Sequence, residues 1–234
     1  MWKARIFTLY PEIFPGALTK GIYGKALEKK IWNLDLVNIR DSAEDKHKTV
    51  DDTPFGGGSG MLLKADVLGK SIDKNVQQGE RIFYLSPKGK KFDQKFAKEL
   101  SKEKTINLIC GHFEGVDDRI LNTRKIEEIS IGDYILSGGE SAAFVVIDSI
   151  LRLLPGVIGN VTSNKEESFE NGLLEYPQYT KPQLWEKKSV PDVLLSGDHA
   201  KIKSWRLSQS EAITRRQRPD LWKKHIKKNK NEKH

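Results

Sequence analysis

The chain contains a single cysteine, Cys110, and only two methionines among 234 residues. One thiol excludes an intramolecular disulfide and any metal site assembled from several cysteines. The five histidines, at positions 47, 112, 199, 225 and 234, show no metal-ligand spacing, so no zinc centre is expected. Long apolar runs are missing too. No stretch approaches the roughly 20 consecutive apolar residues that a membrane helix needs. The opening MWKARIFTLYPEIFPG has no basic segment leading into an apolar core and a cleavage site. A cytosolic chain with no membrane association is the expectation. Two nucleotide-binding signatures are also absent. Gly69–Lys70–Ser71 would close a GxxxxGK[ST] phosphate loop, but Lys64 stands where its first glycine belongs. No GxGxxG follows a strand-like run. LSGGE at 136–140, a superficial match to the signature loop of ATP-binding-cassette proteins, is therefore not read as one.

What is present is a soluble chain, 37% hydrophobic and 31% charged, long enough for one large or two smaller domains. Its net charge of +8 is unevenly spread. Residues 181–234 hold 15 Lys/Arg against 6 Asp/Glu, leaving 25 against 26 for residues 1–180. That asymmetry points to a polyanionic partner engaged by the C-terminal part. In 201–218, KIKSWRLSQSEAITRRQR, basic residues mix with Trp205 on a predicted helix, a pattern that suits RNA or DNA. The last residues, KKHIKKNKNEKH, read as a solubilising tail.

Strand-like and helix-like runs alternate over the first ~155 residues. Ala4–Leu9, Leu34–Ile39, Arg81–Leu85, Thr105–Cys110 and Glu128–Ile131 are short and rich in Ile, Val, Phe or Leu, as strands are. Amphipathic helices are predicted at 18–30, 64–77 and 92–103, and a more apolar one over Ser141–Leu154, stopped by Pro155–Gly156. This alternation predicts an α/β fold with a mainly parallel sheet. From Val157 to about Val193 the periodicity dissolves, as in a functional loop or linker. It resumes at Ser196–Gly197–Asp198, where Ser196 or Asp198 can cap a helix running through Arg216. Pro219–Asp220 punctuates that helix, and a shorter one is expected to follow. The predicted layout is an α/β domain over 1–160, a connection over 161–174 and a small, basic, helical domain over 175–234.

Two glycine-punctuated loops follow strand-like runs, CGHFEGVDDR at 110–119 and IGDYILSGGE at 131–140. Glycines let the backbone approach a ligand closely and adopt φ > 0. The acidic residues Glu114, Asp117, Asp118, Asp133 and Glu140 argue against a plain phosphate cradle, leaving a polar small-molecule site lined largely by backbone. DDTPFGGGSGM at 51–61 places Gly56, Gly57, Gly58 and Gly60 within five positions, either a flexible loop or a lid over a bulky ligand. Cys110 ends an apolar run with no His–Asn constellation and reads as a buried small hydrophobe. Arg152 interrupts the apolar DSILRLLPG near a helix end. It complements the helix dipole or aims a guanidinium at an anionic or carbonyl ligand. Glu166, Glu167 and Glu170 lie in the irregular segment, where solvated charge is the default and a general base is the alternative.

Taken in order, VDDTPFGGGSGM (50–61), YLSPKGKKFDQ (84–94), CGHFEGVDDR, SIGDYILSGGE (130–140), LPGVIGN (154–160), SFENGLLEYPQYTKP (168–182) and LLSGDHAKIKSWR (194–206) resemble the bacterial tRNA (guanine-N(1)-)-methyltransferase family, of the knotted SPOUT class. The resemblance runs from Met1 to about Leu221. It implies methyl transfer from S-adenosylmethionine to N1 of the guanine at tRNA position 37, just 3′ of the anticodon, which in the family maintains the reading frame. It also implies a homodimer with active sites at the subunit interface, and a deep trefoil knot that holds the cofactor. The knot segments fall on Tyr84, Leu85, Ser86 and Pro87, on Gly111, Glu114 and Gly115, and on Ile131, Gly132, Asp133, Tyr134, Ile135, Leu136, Gly138 and Gly139. The family's catalytic arginine falls on Arg152, and its aspartate base falls on Glu167, one methylene longer. The family suggests Mg²⁺ as an aid to the arginine. His112 stands where arginine is frequent, and Gln178 where histidine is common. Two other readings stay open, a non-catalytic RNA-binding protein and a related enzyme methylating a ribose 2′-oxygen. The acidic loop around Glu167 argues against the latter, because guanine N1 carries a proton that needs a base.

Overall fold

All five predicted strands form, and they join into one parallel sheet. The computed structural model describes residues 1–158, 168, 169 and 171–231, and the chain divides into two units, Met1–Gly159 and Asn160–His234.

The first unit runs β1 (Trp2–Thr8), α1 (Gly21–Glu28), β2 (Trp32–Asn38), β3 (Asp51–Asp52), β4 (Leu62–Leu63), α2 (Ala65–Asn75), β5 (Arg81–Lys91), α3 (Gln94–Leu100), β6 (Thr105–Cys110), α4 (Asp118–Thr123), β7 (Glu127–Ser130) and α5 (Glu140–Leu151). The sheet order is β2-β1-β6-β5-β7, with every pairing parallel. β6 is buried over Ile106–Cys110, as expected of a central strand covered on both faces. Alternate side chains feed two cores. Ile6, Leu108 and Phe83 meet Phe96 and Leu100 of α3 and Val146 and Ile147 of α5. Phe7, Ile109 and Tyr84 meet Leu68 and Ile72 of α2 and Ile120 of α4. Each fully buried phenylalanine contributes about 1.5–3 kcal/mol.

Several boundaries moved for local reasons. The predicted helix over 18–30 is interrupted at Gly21, whose φ of 61° is non-helical, so α1 begins there after a 3₁₀ turn over Gly16–Thr19. Over 92–103 only Gln94–Leu100 is helical, because the Asp93 carboxylate caps the turn by accepting from Phe96 N at 2.9 Å. β5 extends beyond Leu85. Leu85 pairs with Ile129, Ser86–Gly89 leaves the ladder, and Lys90 then pairs with Ile129 again. A Cβ on Gly89 would fall 2.3 Å from Ile129 N, so only glycine permits this return. At the opposite end of the sheet Arg5, buried in β1, donates to Asp35 (2.8 Å), Glu80 (2.7 Å) and Asn107 (2.9 Å).

The second unit holds a hairpin of β8 (Leu184–Trp185) and β9 (Lys188–Ser189), then α6 (Asp192–Leu195), α7 (His199–Gln217) and α8 (Pro219–Asn231). Asp198 caps α7, accepting from Ala200 N and Lys201 N, both at 3.1 Å. The described part of the predicted connection over 161–174 bonds within this unit. Leu174 N donates to Thr214 Oγ1 at 2.8 Å and Glu175 N to Ser168 Oγ at 3.0 Å. Among the described residues, no helix is long and apolar enough to cross a membrane.

Candidate active site

Ligands of open α/β sheets sit beyond the carboxyl ends of the strands. Here the ends of β5, β6 and β7, three neighbours, open into a cavity of about 370 Å³. Its walls are the three loops that the resemblance pointed to. Tyr84, Leu85, Ser86, Pro87, Gly111, Glu114, Gly115, Ile131, Gly132, Tyr134, Ile135, Leu136, Gly138 and Gly139 all line it. Asp133 is exposed and is not part of the lining. Arg152 is half-buried at the C-terminal cap of α5, away from this lining, and its amide donates to Asp148 O at 3.2 Å. Glu167 lies outside the described residues, as do Glu166 and Glu170.

The glycines have specific work. The Tyr84 ring lies against Gly111, where a Cβ would sit 2.6 Å from its hydroxyl oxygen, and near Gly115, where the distance would be 3.2 Å. Burial and the charge of Glu128 push the Tyr84 phenol up to about 12. A Cβ on Gly139 would come 2.5 Å from Cys110 Cα, and Gly139 N donates to Gly111 O at 3.0 Å. Side chains at these places would force the loops apart. Between Gly111 and Gly115, Phe113 is held at φ 59° and is 47% exposed. A left-handed aromatic residue costs about 1–3 kcal/mol, and such strain clusters at ligand sites.

The glycine-rich β3–β4 loop adjoins the same wall. Glu114 N donates to Met61 O at 2.9 Å, and Gly60 leaves room for the Glu114 side chain, which a Cβ would approach to 2.5 Å. Gly56, Gly57, Gly58 and Gly60 all have positive φ, and Phe55 beside them is 98% exposed.

Cys110 is fully buried beneath the cavity, and burial followed by the charge of Glu140 drives its thiol well above the ordinary range. It is packing, as the sequence suggested. Glu140, noted in the sequence only as one acidic residue of the loop, stands behind the lining rather than in it. It is buried at the first turn of α5 and bonded to Thr8 and His112. Sequence reasoning missed Lys88 and Glu128, which join the wall through the return of β5. The only available signal for Glu140 was a carboxylate opening an otherwise apolar helix.

The family model for tRNA (Guanine-1)-methyltransferase TrmD matches residues 2–224. The chain belongs to this family. It is 77% identical over 227 residues to the tRNA (guanine-N(1)-)-methyltransferase of Pelagibacter ubique, covering 97% of this chain and all of that protein. The proteins of the same name from Bartonella tribocorum and Brucella canis are 55% and 53% identical, each over 97% of this chain and over 97% and 92% of their own lengths. Membership of the tRNA (guanine-1)-methyltransferase family gives the chain a reaction class, methyl transfer to a guanine of tRNA.

Proposed function

We propose that the chain transfers a methyl group from S-adenosylmethionine to N1 of guanine 37 of tRNA, in the cytoplasm, with the cavity at the ends of β5, β6 and β7 as the donor site. The observation that carries this reading is the cradle of Gly111, Gly115, Gly138 and Gly139, where added Cβ atoms would meet Tyr84, His112 or the Cys110 backbone, so the loops close around the cavity only with glycine there. A volume of about 370 Å³ lies in the range of nucleoside-sized sites.

When bound, S-adenosylmethionine supplies an activated methyl and a neutral thioether leaving group. The chain's residues do the rest. The three loops orient the donor through backbone groups and exclude water. Guanine N1 is protonated at neutral pH and is a poor nucleophile, so a carboxylate must accept that proton as the methyl transfers. Glu167 is assigned that role. Negative charge then grows toward guanine O6, and Arg152 is assigned to stabilise it. Among the described residues no three His, Cys, Asp or Glu side chains are grouped to hold a metal, so no step is assigned to Mg²⁺.

The knot and the homodimer belong to the same reading. The double pairing of β5 with β7 around Ser86–Gly89, and the bond from Gly139 to Gly111, support a chain that threads through its own loops. For the dimer, Ile13, Ile22 and Val145 are each more than 40% exposed. They lie beside the contacts Phe14–Phe144 and Tyr23–Asp148 that join the 11–23 segment to α5. Tests are direct. Incubation of transcribed tRNA with the purified chain and S-adenosylmethionine, then mass spectrometry of the nucleosides, is expected to yield 1-methylguanosine. A ribose-methylated product, or none, overturns the assignment.

A further inference from the structure

Neither the donor contacts nor the proton transfer above employs Glu140, yet this carboxylate is only 6% exposed. Its Oε1 accepts from Thr8 Oγ1 at 2.6 Å, and both its oxygens lie 2.9 Å from His112 Nε2. Thr8 donates through its hydroxyl, and a carboxylate accepting at both oxygens is matched by an imidazole with its hydrogen on Nε2. Thr8 Oγ1 accepts in turn from Tyr10 N at 2.9 Å. The edge of the Tyr10 ring meets the imidazole at 5.0 Å. Gly138 completes the enclosure, since a Cβ there would fall 2.4 Å from His112 Cε1 and 2.7 Å from Glu140 Oε2.

This joint ties the end of β1, the loop after β6 and the loop entering α5 at one point on the cavity wall. Loops built of glycine cannot hold their spacing by side-chain packing, so something else must set it. Hydrogen bonds to a buried carboxyl group suit that purpose, because they are directional and strengthened by a low local dielectric. If stability alone were needed, an apolar trio of similar volume would serve as well.

We propose that Glu140 is a positioning residue. Held by Thr8 and acting through His112 and Gly138, it fixes the spacing of the 111–115 and 131–139 loops and so sets donor affinity without touching the reacting atoms. The proposal rests on the reading that this cavity takes S-adenosylmethionine.

The test uses the full chain and measures donor Kd by calorimetry, KM for donor and for tRNA, kcat at saturating donor, and Tm. Glu140→Gln is expected to weaken donor binding about tenfold or more, with kcat and the KM for tRNA within about twofold of the parent. Thr8→Val shifts donor affinity the same way by less. His112→Gln, whose amide still donates, keeps most of the affinity that His112→Ala loses, a rescue that a purely structural role would not produce. If Glu140→Gln fails to fold, Thr8→Val and the two His112 variants carry the test with the carboxylate in place. Unchanged donor affinity in these variants overturns the proposal, as does a fall in kcat at saturating donor with affinity intact. A parent chain that binds no S-adenosylmethionine overturns the underlying reading and the proposal with it.

Discussion

The two units are held together by different physics. In Met1–Gly159 both faces of a five-stranded sheet are packed with apolar side chains, and the largest, such as Trp32, Phe7 and Phe83, are fully buried. Among the described residues of Asn160–His234 the buried side chains are Leu173, Ser210 and Thr214. One apolar residue and two hydroxyls make a thin core. The second unit relies instead on bonds such as Leu174 N to Thr214 Oγ1 and on ring contacts such as Arg206 over Tyr176 at 4.7 Å. It also displays Leu184 and Trp185, 65% and 61% exposed, beside Lys187 and Lys188. The packed sheet anchors the strand ends from which the glycine loops spring. The basic second unit is the part that we propose meets the tRNA polyanion.

This contrast can be broken most severely at the chemistry. Glu167→Gln is expected to slow single-turnover methylation by about 10²–10⁴-fold, and Arg152→Ala by about 10²–10³-fold, with S-adenosylmethionine affinity unchanged. Loss of donor binding in either variant would erase the separation between a donor site and a guanine site. Full turnover of Glu167→Gln would remove it as the base.

Glycine substitutions compare the units on equal terms. Gly139→Ala places a methyl 2.5 Å from Cys110 Cα, so a fall of about 1–3 kcal/mol in stability and a loss of donor binding are expected. Gly197→Ala, at φ 70° but with nothing within 4 Å, costs only backbone strain of about 1–2 kcal/mol and leaves the donor untouched. Denaturant melts and calorimetry measure both. Equal donor losses would mean that the cavity is not confined to the first unit.

For the second unit, Lys187→Ala with Lys188→Ala is expected to weaken tRNA binding about five- to tenfold and to lower its salt slope by about one for each lysine that meets a phosphate. A parallel loss of affinity at all salt concentrations, with the slope intact, would point away from phosphate contact.

The smallest effect is a pH dependence. Tyr84, with a folded-state value pushed up to about 12 from an ordinary 10, holds its proton more tightly when folded. Its contribution to stability is therefore complete below pH 10 and is lost as the pH rises toward 12. Absorbance titration should show one late tyrosine, and Tyr84→Phe should flatten the alkaline end of the stability curve. A phenol titrating near 10 would show the cavity wall to be wet.

The sequence carried the sheet because its strands are buried on both faces and read as apolar runs, TINLIC above all. It did not reveal α4, whose six residues bury only Ile120 and leave no periodicity to detect. The return of β5 was equally hidden. PKGKK is charged and exposed, and it pairs by backbone alone. The cavity residues came from ordered motifs rather than from local chemistry, and of those named only Asp133 lies outside the lining. The joint of Thr8, His112 and Glu140 joins three places far apart in the chain, and no local pattern announces such a meeting.

Cys110 gives this cradle a native reporter. The chain's single thiol lies under Gly139, buried and kept protonated by burial and by Glu140, so a reagent in solution cannot reach it while the loops are shut. Its rate of alkylation therefore counts whatever openings of the 131–139 loop or the core expose it. A ligand that seats there should slow the clock, with no label added to the chain.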